Sequence, residues 1–214
     1  MITREGTVVV VAMDDGENRF SPDSLTSWEQ ALDEIEKDDT VSALVTTGAG
    51  KFYSNGLDVG ELSGADGRAY VDRVCSLMAR LLVLPVCTVA AVNGHAFGAG
   101  AMMVLAHDLR VMREDRGFFC LPEVDMGLPF TPFMSTLVRT KLAPLAAQEA
   151  MTTGLRYGGQ LALEAGIVHA VATEDAVLST AVSLAQERGG KQRPALGTIK
   201  ADIYAAVTAL GTSY

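Results

Sequence analysis

Apolar and polar positions follow two rhythms along the chain. Residues 7–13 and 41–47 are short β-branched runs, each followed by a turn rich in Asp or Gly, and they predict buried strands. Between them, Ser21-Pro22 marks a helix start, with serine as N-cap and proline at the first helical position. Leu25, Trp28, Leu32 and Ile35 then recur at helical spacing, while Glu29, Asp33, Glu34 and Lys37 form the wet face. Residues 48–56 are too polar and glycine-rich to predict regular structure. Helical period returns at 70–84 and Pro85 ends it. Residues 86–92 predict a third strand, 98–107 a helix of small residues and methionines, and 109–112 and 118–121 two short strands. Beyond Thr131 the spacing predicts helices at 132–142, 144–153 and 160–166, a strand at 168–172, and helices at 175–188 and 196–210. Residues 189–194 read as a breaker between the last two.

Strand and helix alternation over the first 120 residues predicts an α/β class. No linker interrupts it, so residues 1–214 read as one domain, with a core over 1–153 and a mainly helical part over 154–214. Residues 81–106 carry no charged side chain, but Pro85, Asn93, Gly94, His95, Gly98 and Gly100 break them up. Strand, tight turn and helix fit that stretch better than a membrane span, and no membrane insertion is expected.

Composition narrows the chemistry. The charge of −9, from 26 acidic against 17 basic residues, argues against nucleic acid as a partner. Cys75, Cys87 and Cys120 are widely spaced and form no C-x-x-C, which suggests small buried side chains in a reducing compartment, here read as cytoplasmic. His95, His107 and His169 are too dispersed for a standard metal motif, so no metal is expected. The N-terminal stretch does not read as a signal peptide, and the terminal LGTSY is no peroxisomal S-K-L. Arg110, Arg113 and Arg116 read as an ordinary charged surface. The chain holds 21 glycines, where average usage predicts about 15.

Those glycines almost spell several motifs. Gly48-Ala49-Gly50-Lys51 lacks both the upstream glycine and the Ser/Thr of a P-loop, and Gly98-Ala99-Gly100 is followed by Met103 where a dinucleotide fingerprint has glycine. No G-x-S-x-G elbow occurs. What remains is a pair of glycine-rich turns, FYSNGLD at 52–58 and NGHAFGAGA at 93–101, the second leading into a helix. The first turn of a helix carries unpaired N–H groups with partial positive charge. Two such donors from separate loops form an oxyanion hole, suited to an enolate; the same glycines would also serve simple close packing of helix on strand.

The sequence AAVNGHAFGAGAMMVLAHDLRV, followed by FFCLPEVDMGLPF, resembles the enoyl-CoA hydratase/isomerase family. FYSNGLD resembles that family's first oxyanion loop. The resemblance implies a crotonase (ClpP/crotonase-like) fold: a spiral of ββα units with a helical C-terminal part, here shortened, that mediates assembly into trimers or hexamers. It implies an acyl-CoA thioester substrate, with coenzyme A arriving as part of that substrate and no other cofactor. The oxyanion donors would be the N–H groups of Leu57 and Ala99. Ser54, Asn55, Gly56, Asp58, Gly98, Gly100, Met102 and Phe130 would meet the substrate, with Lys51 and Arg19 toward the CoA phosphates. Hydratases of the family use two glutamates; the first position matches Met102 and the second Glu123. A single positioned carboxylate implies a proton shuttle, and so an isomerase that converts 3-enoyl-CoA to 2-enoyl-CoA with Glu123 as base. Apolar neighbours such as Met126, Leu128, Phe130 and Phe133 would raise its pKa by desolvation. The alternatives are an enoyl-CoA hydratase and a non-catalytic acyl-CoA-binding protein of the same fold.

Overall fold

A computed structural model describes residues 1–211. Thr212, Ser213 and Tyr214, which end the LGTSY stretch, lie outside the described residues. The larger sheet has the order β1-β2-β3-β5-β7-β9, from β1 (Ile2–Glu5), β2 (Val8–Met13), β3 (Ala43–Gly48), β5 (Cys87–Val92), β7 (Leu109–Arg113) and β9 (Ala170–Ala172). Only the β1–β2 pair in it is antiparallel. A smaller parallel sheet has the order β4 (Phe52–Ser54), β6 (His95–Phe97) and β8 (Phe119–Cys120). The chain therefore passes from large sheet to small sheet three times, β3 to β4, β5 to β6 and β7 to β8, and stacks each turn on the last. Helices fill the returns: α1 (Pro22–Lys37), α2 (Val59–Leu62), α3 (Gly67–Val83) and α4 (Ala99–Ala106). The C-terminal part adds α5 (Pro132–Lys141), α6 (Pro144–Thr153), α7 (Gly159–Glu164), α8 (Val177–Arg188) and α9 (Arg193–Gly211).

The central strands are continuous apolar runs because both faces of the sheet are covered. Val9, Val11 and Leu44 point into the main core with Trp28, Leu32 and Met78. Val8, Val10, Ala43 and Val45 face the other way, onto Val177, Ala181, Val182 and Ala185 of α8. Helix α1 starts as its sequence predicts: the Ser21 hydroxyl accepts from Ser24 N–H, and Pro22 follows at the first helical position.

Five short elements escape the hydrophobic pattern, one of them a 3₁₀ turn at Pro122–Val124. β4 lies inside the stretch expected to be irregular, and β1, β6 and α2 were likewise not anticipated. β4 and β6 are three residues each, too short to show a period, and their pairing is decided by the neighbouring turn of the spiral. α9 begins at Arg193 rather than 196, inside the expected breaker. Arg193 donates to the carbonyl oxygens of Ile35, Glu36, Asp38 and Val41, which ties the helix start to the end of α1. Arg110 and Arg113 are buried, not surface residues; only Arg116 is exposed. Arg110 donates to Ile167 O and His107 O, and Arg113 pairs with Asp115 and Glu174. All three cysteines are buried and free.

Candidate active site

The site forms where the small sheet hands the chain to α2 and α4. Ser54 ends β4 fully buried; its hydroxyl donates to Asn18 O and accepts from Gly56 N–H, which turns the chain sharply. Gly56 has φ +80°, and a Cβ there would stand 2.7 Å from Phe97 O and 3.1 Å from Ala99 N. Gly100 lies so close to the same turn that a Cβ on it would stand 2.3 Å from Ser54 O. Glycine thus lets the two loops pack back to back. Across that junction, the N–H groups of Leu57 and Ala99 donate to no acceptor among the described residues. For Ala99 this follows from its place as the first residue of α4.

Glu123 arrives from the other side, on a single 3₁₀ turn at Pro122–Val124 that follows β8. Its Oε1 lies 3.4 Å from where a Cβ on Gly98 would stand, and its Oε2 is buried with no hydrogen-bond partner. Burial pushes its pKa up to about 6, only partly offset by a backbone hydrogen bond. The two loops and Glu123 line one cavity of about 350 Å³, in which Glu123 is the one carboxylate. Leu62, Val71, Met126, Leu128 and Met134 supply an apolar wall, and Arg19 and Arg156 are its cations. A second cavity of about 590 Å³, between α3, α5 and the end of α9, shares Leu62, Val71 and Thr131 with the first.

Of the expected site residues, Asn55, Gly56, Leu57, Gly98, Ala99 and Glu123 line this cavity together. Ser54, Asp58, Gly100, Met102 and Phe130 do not. Ser54 and Gly100 hold the loop junction. Asp58 caps α2, its Oδ1 accepting from Gly60 N–H. Met102 is fully buried in the main core and Phe130 packs against that core, and neither lines the cavity. Lys51 also stands apart, its ammonium 5.3 Å from the Phe52 ring centroid. His95 sits among the rings of Phe52, Phe97 and Phe118 and does not line the cavity. Arg156, Val71, Thr131 and Met134 come from elements remote in sequence, and no local pattern singles them out.

The sequence matches the family model described as enoyl-CoA hydratase/isomerase over residues 3–213. Enoyl-CoA delta isomerase 2, peroxisomal, of Arabidopsis thaliana is 38% identical over 190 residues, covering 83% of this chain and 79% of the relative. Carnitinyl-CoA dehydratase of Citrobacter koseri is 30% identical over 96% of this chain and 80% of its own length. Among solved structures, the Mtb enoyl-CoA isomerase superposes with a TM-score of 0.92 at 28% identity, covering 99% of this chain and 93% of that one. Enoyl-CoA hydratase EchA3 of Mycobacterium ulcerans gives 0.91 at 27% identity, with the same coverages. No helix among the described residues is long and apolar enough to cross a membrane. In sequence and in its crotonase fold, the chain belongs to the enoyl-CoA hydratase/isomerase family of enzymes.

Proposed function

We propose that the protein is an enoyl-CoA isomerase that moves the double bond of a 3-enoyl-CoA to position 2. The observation that carries this reading is one partly buried carboxylate, its Oε2 without a hydrogen-bond partner, lining one cavity with two N–H groups that donate to no acceptor among the described residues. With the thioester oxygen held by Leu57 and Ala99 N–H, the Glu123 carboxylate takes a proton from C2. The C2–H electron pair moves into the conjugated system and the negative charge settles on the thioester oxygen as a dienolate. Glu123, now the acid, returns the proton to C4, leaving the double bond between C2 and C3 and the carboxylate regenerated. Nothing is consumed, so coenzyme A as part of the substrate is the only group the step needs. Each oxyanion donor is typically worth about 3–4 kcal/mol of transition-state stabilisation. A pKa near 6 suits a base that must both take and return a proton near neutrality.

Hydration would require a second positioned acid or base to handle water. The family's other glutamate position is Met102 here, closed in the core, which supports the shuttle over the hydratase reading. Arg156 would meet the anionic CoA end, and the adjoining cavity would take the acyl tail past Leu62 and Val71. Exposed Val124, Met126, Leu128 and Leu145 beside the Glu123 turn support assembly with further copies as a trimer or hexamer. Three free cysteines fit a reducing compartment, for which we take the cytoplasm. The deciding assay offers purified protein 3-enoyl-CoA and 2-enoyl-CoA separately. Conversion of the first without hydration of the second is expected. Hydration alone would make it a hydratase, and binding without turnover a non-catalytic acyl-CoA binder.

A further inference from the structure

The two peptide units that flank Leu57 are pinned from outside the loop. The unit carrying Leu57 N–H also carries Gly56 C=O, and that oxygen accepts from Phe20 N–H at 2.9 Å. The next unit is held at both ends: Leu57 O accepts from Arg19 Nη1 at 2.9 Å, and Asp58 N–H donates to the Tyr70 hydroxyl at 2.8 Å. The Tyr70 hydroxyl in turn donates to Phe20 O at 2.5 Å. One hydroxyl thus joins the segment that fixes the first peptide unit to the segment that ends the second. Tyr70 is 7% exposed, on a helix of 17 residues whose face is packed in the main core, so its hydroxyl is a rigid reference point. Phe20 and Leu57 pair as an isolated parallel bridge, the product of these contacts. Arg19, expected at the CoA phosphates, has its guanidinium on Leu57 O and on Glu17, which itself accepts from Asn55 of the same loop.

We propose that Tyr70 is a positioning residue for the oxyanion hole, its hydroxyl bolting Phe20 O to Asp58 N–H so that Leu57 N–H stays aimed into the cavity. Tyr70 does not line that cavity and touches no substrate; it acts through the loop. The inference rests on the reading of Leu57 N–H as a donor to the thioester oxygen. An oxyanion donor matters most where charge develops, so loosening its aim penalises the enolate more than the neutral thioester.

The experiment compares wild type with Tyr70→Phe, which keeps the ring in the core. Two ligands are titrated: acetoacetyl-CoA, whose enolate carries the charged oxygen, and butanoyl-CoA, which is neutral there. Binding of acetoacetyl-CoA is expected to weaken about tenfold and butanoyl-CoA to bind as before, with kcat for 3-enoyl-CoA down about tenfold at little-changed KM. Equal loss of both ligands, as from a generally loosened protein, would overturn the inference, and so would an unchanged affinity for acetoacetyl-CoA. If wild type turns over no 3-enoyl-CoA, the isomerase reading fails. The ratio of the two affinities still tests Tyr70 in that case, so the two failures are distinguishable.

Discussion

Glu123 combines two properties that a surface glutamate lacks: an oxygen buried without a partner and a pKa raised by burial to about 6. Under the proposed mechanism, replacing it with glutamine keeps the shape and removes the proton shuttle, so isomerase kcat should fall by roughly 10²–10⁴-fold. As a base it must be ionised, and the acid limb of kcat/KM should therefore bend near pH 6 rather than near 4.5. The same residue weighs on stability with the opposite sign. A carboxyl whose folded pKa exceeds its unfolded value binds more protons in the native state, so its contribution worsens as pH rises through that window. Glu123→Gln is expected to melt above wild type at pH 7, with the gap closing as pH falls from about 6 to 4.5. A melting temperature below wild type at pH 7 would show that the carboxylate is stabilised by a partner.

At the scale of elements, the site depends on β4 and α4 approaching within the thickness of a glycine. Gly56 is constrained both by its φ of +80° and by Phe97 O, whereas Gly6 has a similar φ of +64° and open space around it. An alanine at Gly6 costs only the left-handed backbone conformation, about 1–2 kcal/mol. At Gly56 it must also push the two loops apart, which should add about 1–3 kcal/mol and depress kcat. Chemical denaturation of both variants isolates the contact; equal losses would mean that the loops do not touch as described. The turns carrying Gly56 and Gly100 are legible in FYSNGLD and NGHAFGAGA, because glycine, asparagine and a following helix leave a local mark. The strands β4 and β6 that hold the turns in place are not, because three residues have no period.

Across the whole molecule, the C-terminal helices are fastened to the spiral by buried polar groups. Lys200, 4% exposed, reaches from α9 to Asp108 at 2.5 Å and donates to Leu84 O and Val86 O, just ahead of β5. Asp108 also accepts from Thr88 N–H. Removing the ammonium leaves a partly buried carboxylate without its cation and two carbonyls without their donor. Lys200→Met should therefore lose about 3–5 kcal/mol in denaturant unfolding. Adding Asp108→Asn should recover part of that loss, and a strictly additive pair would refute the clamp. α9 also walls the cavity that adjoins the site, so this fastening shapes the space proposed for the acyl tail.

The candidacy of Glu123 after Pro122 comes from the family resemblance, whereas the alternating α/β order, the capped start of α1 and the two glycine turns are legible in the chain alone. Each of the latter rests on a local cause: periodicity, a capping side chain, or a residue type that one backbone conformation demands. The sequence put Arg110 and Arg113 at the surface, where the structure buries them, and the resemblance put Met102 and Phe130 at the substrate, where the structure has them in and against the main core, because the spacing of a residue does not say which side it faces after the chain has coiled. The closing of the fold is what brings Arg156, Val71 and Thr131 to Leu57 and Ala99 around one cavity. The same closure brings the Tyr70 hydroxyl to Phe20 O and Asp58 N–H and leaves Glu123 Oε2 without a partner. Those properties belong to distances between segments far apart in the chain, 12 and 50 residues for the two Tyr70 hydrogen bonds alone, and they exist only when the whole core has closed around them.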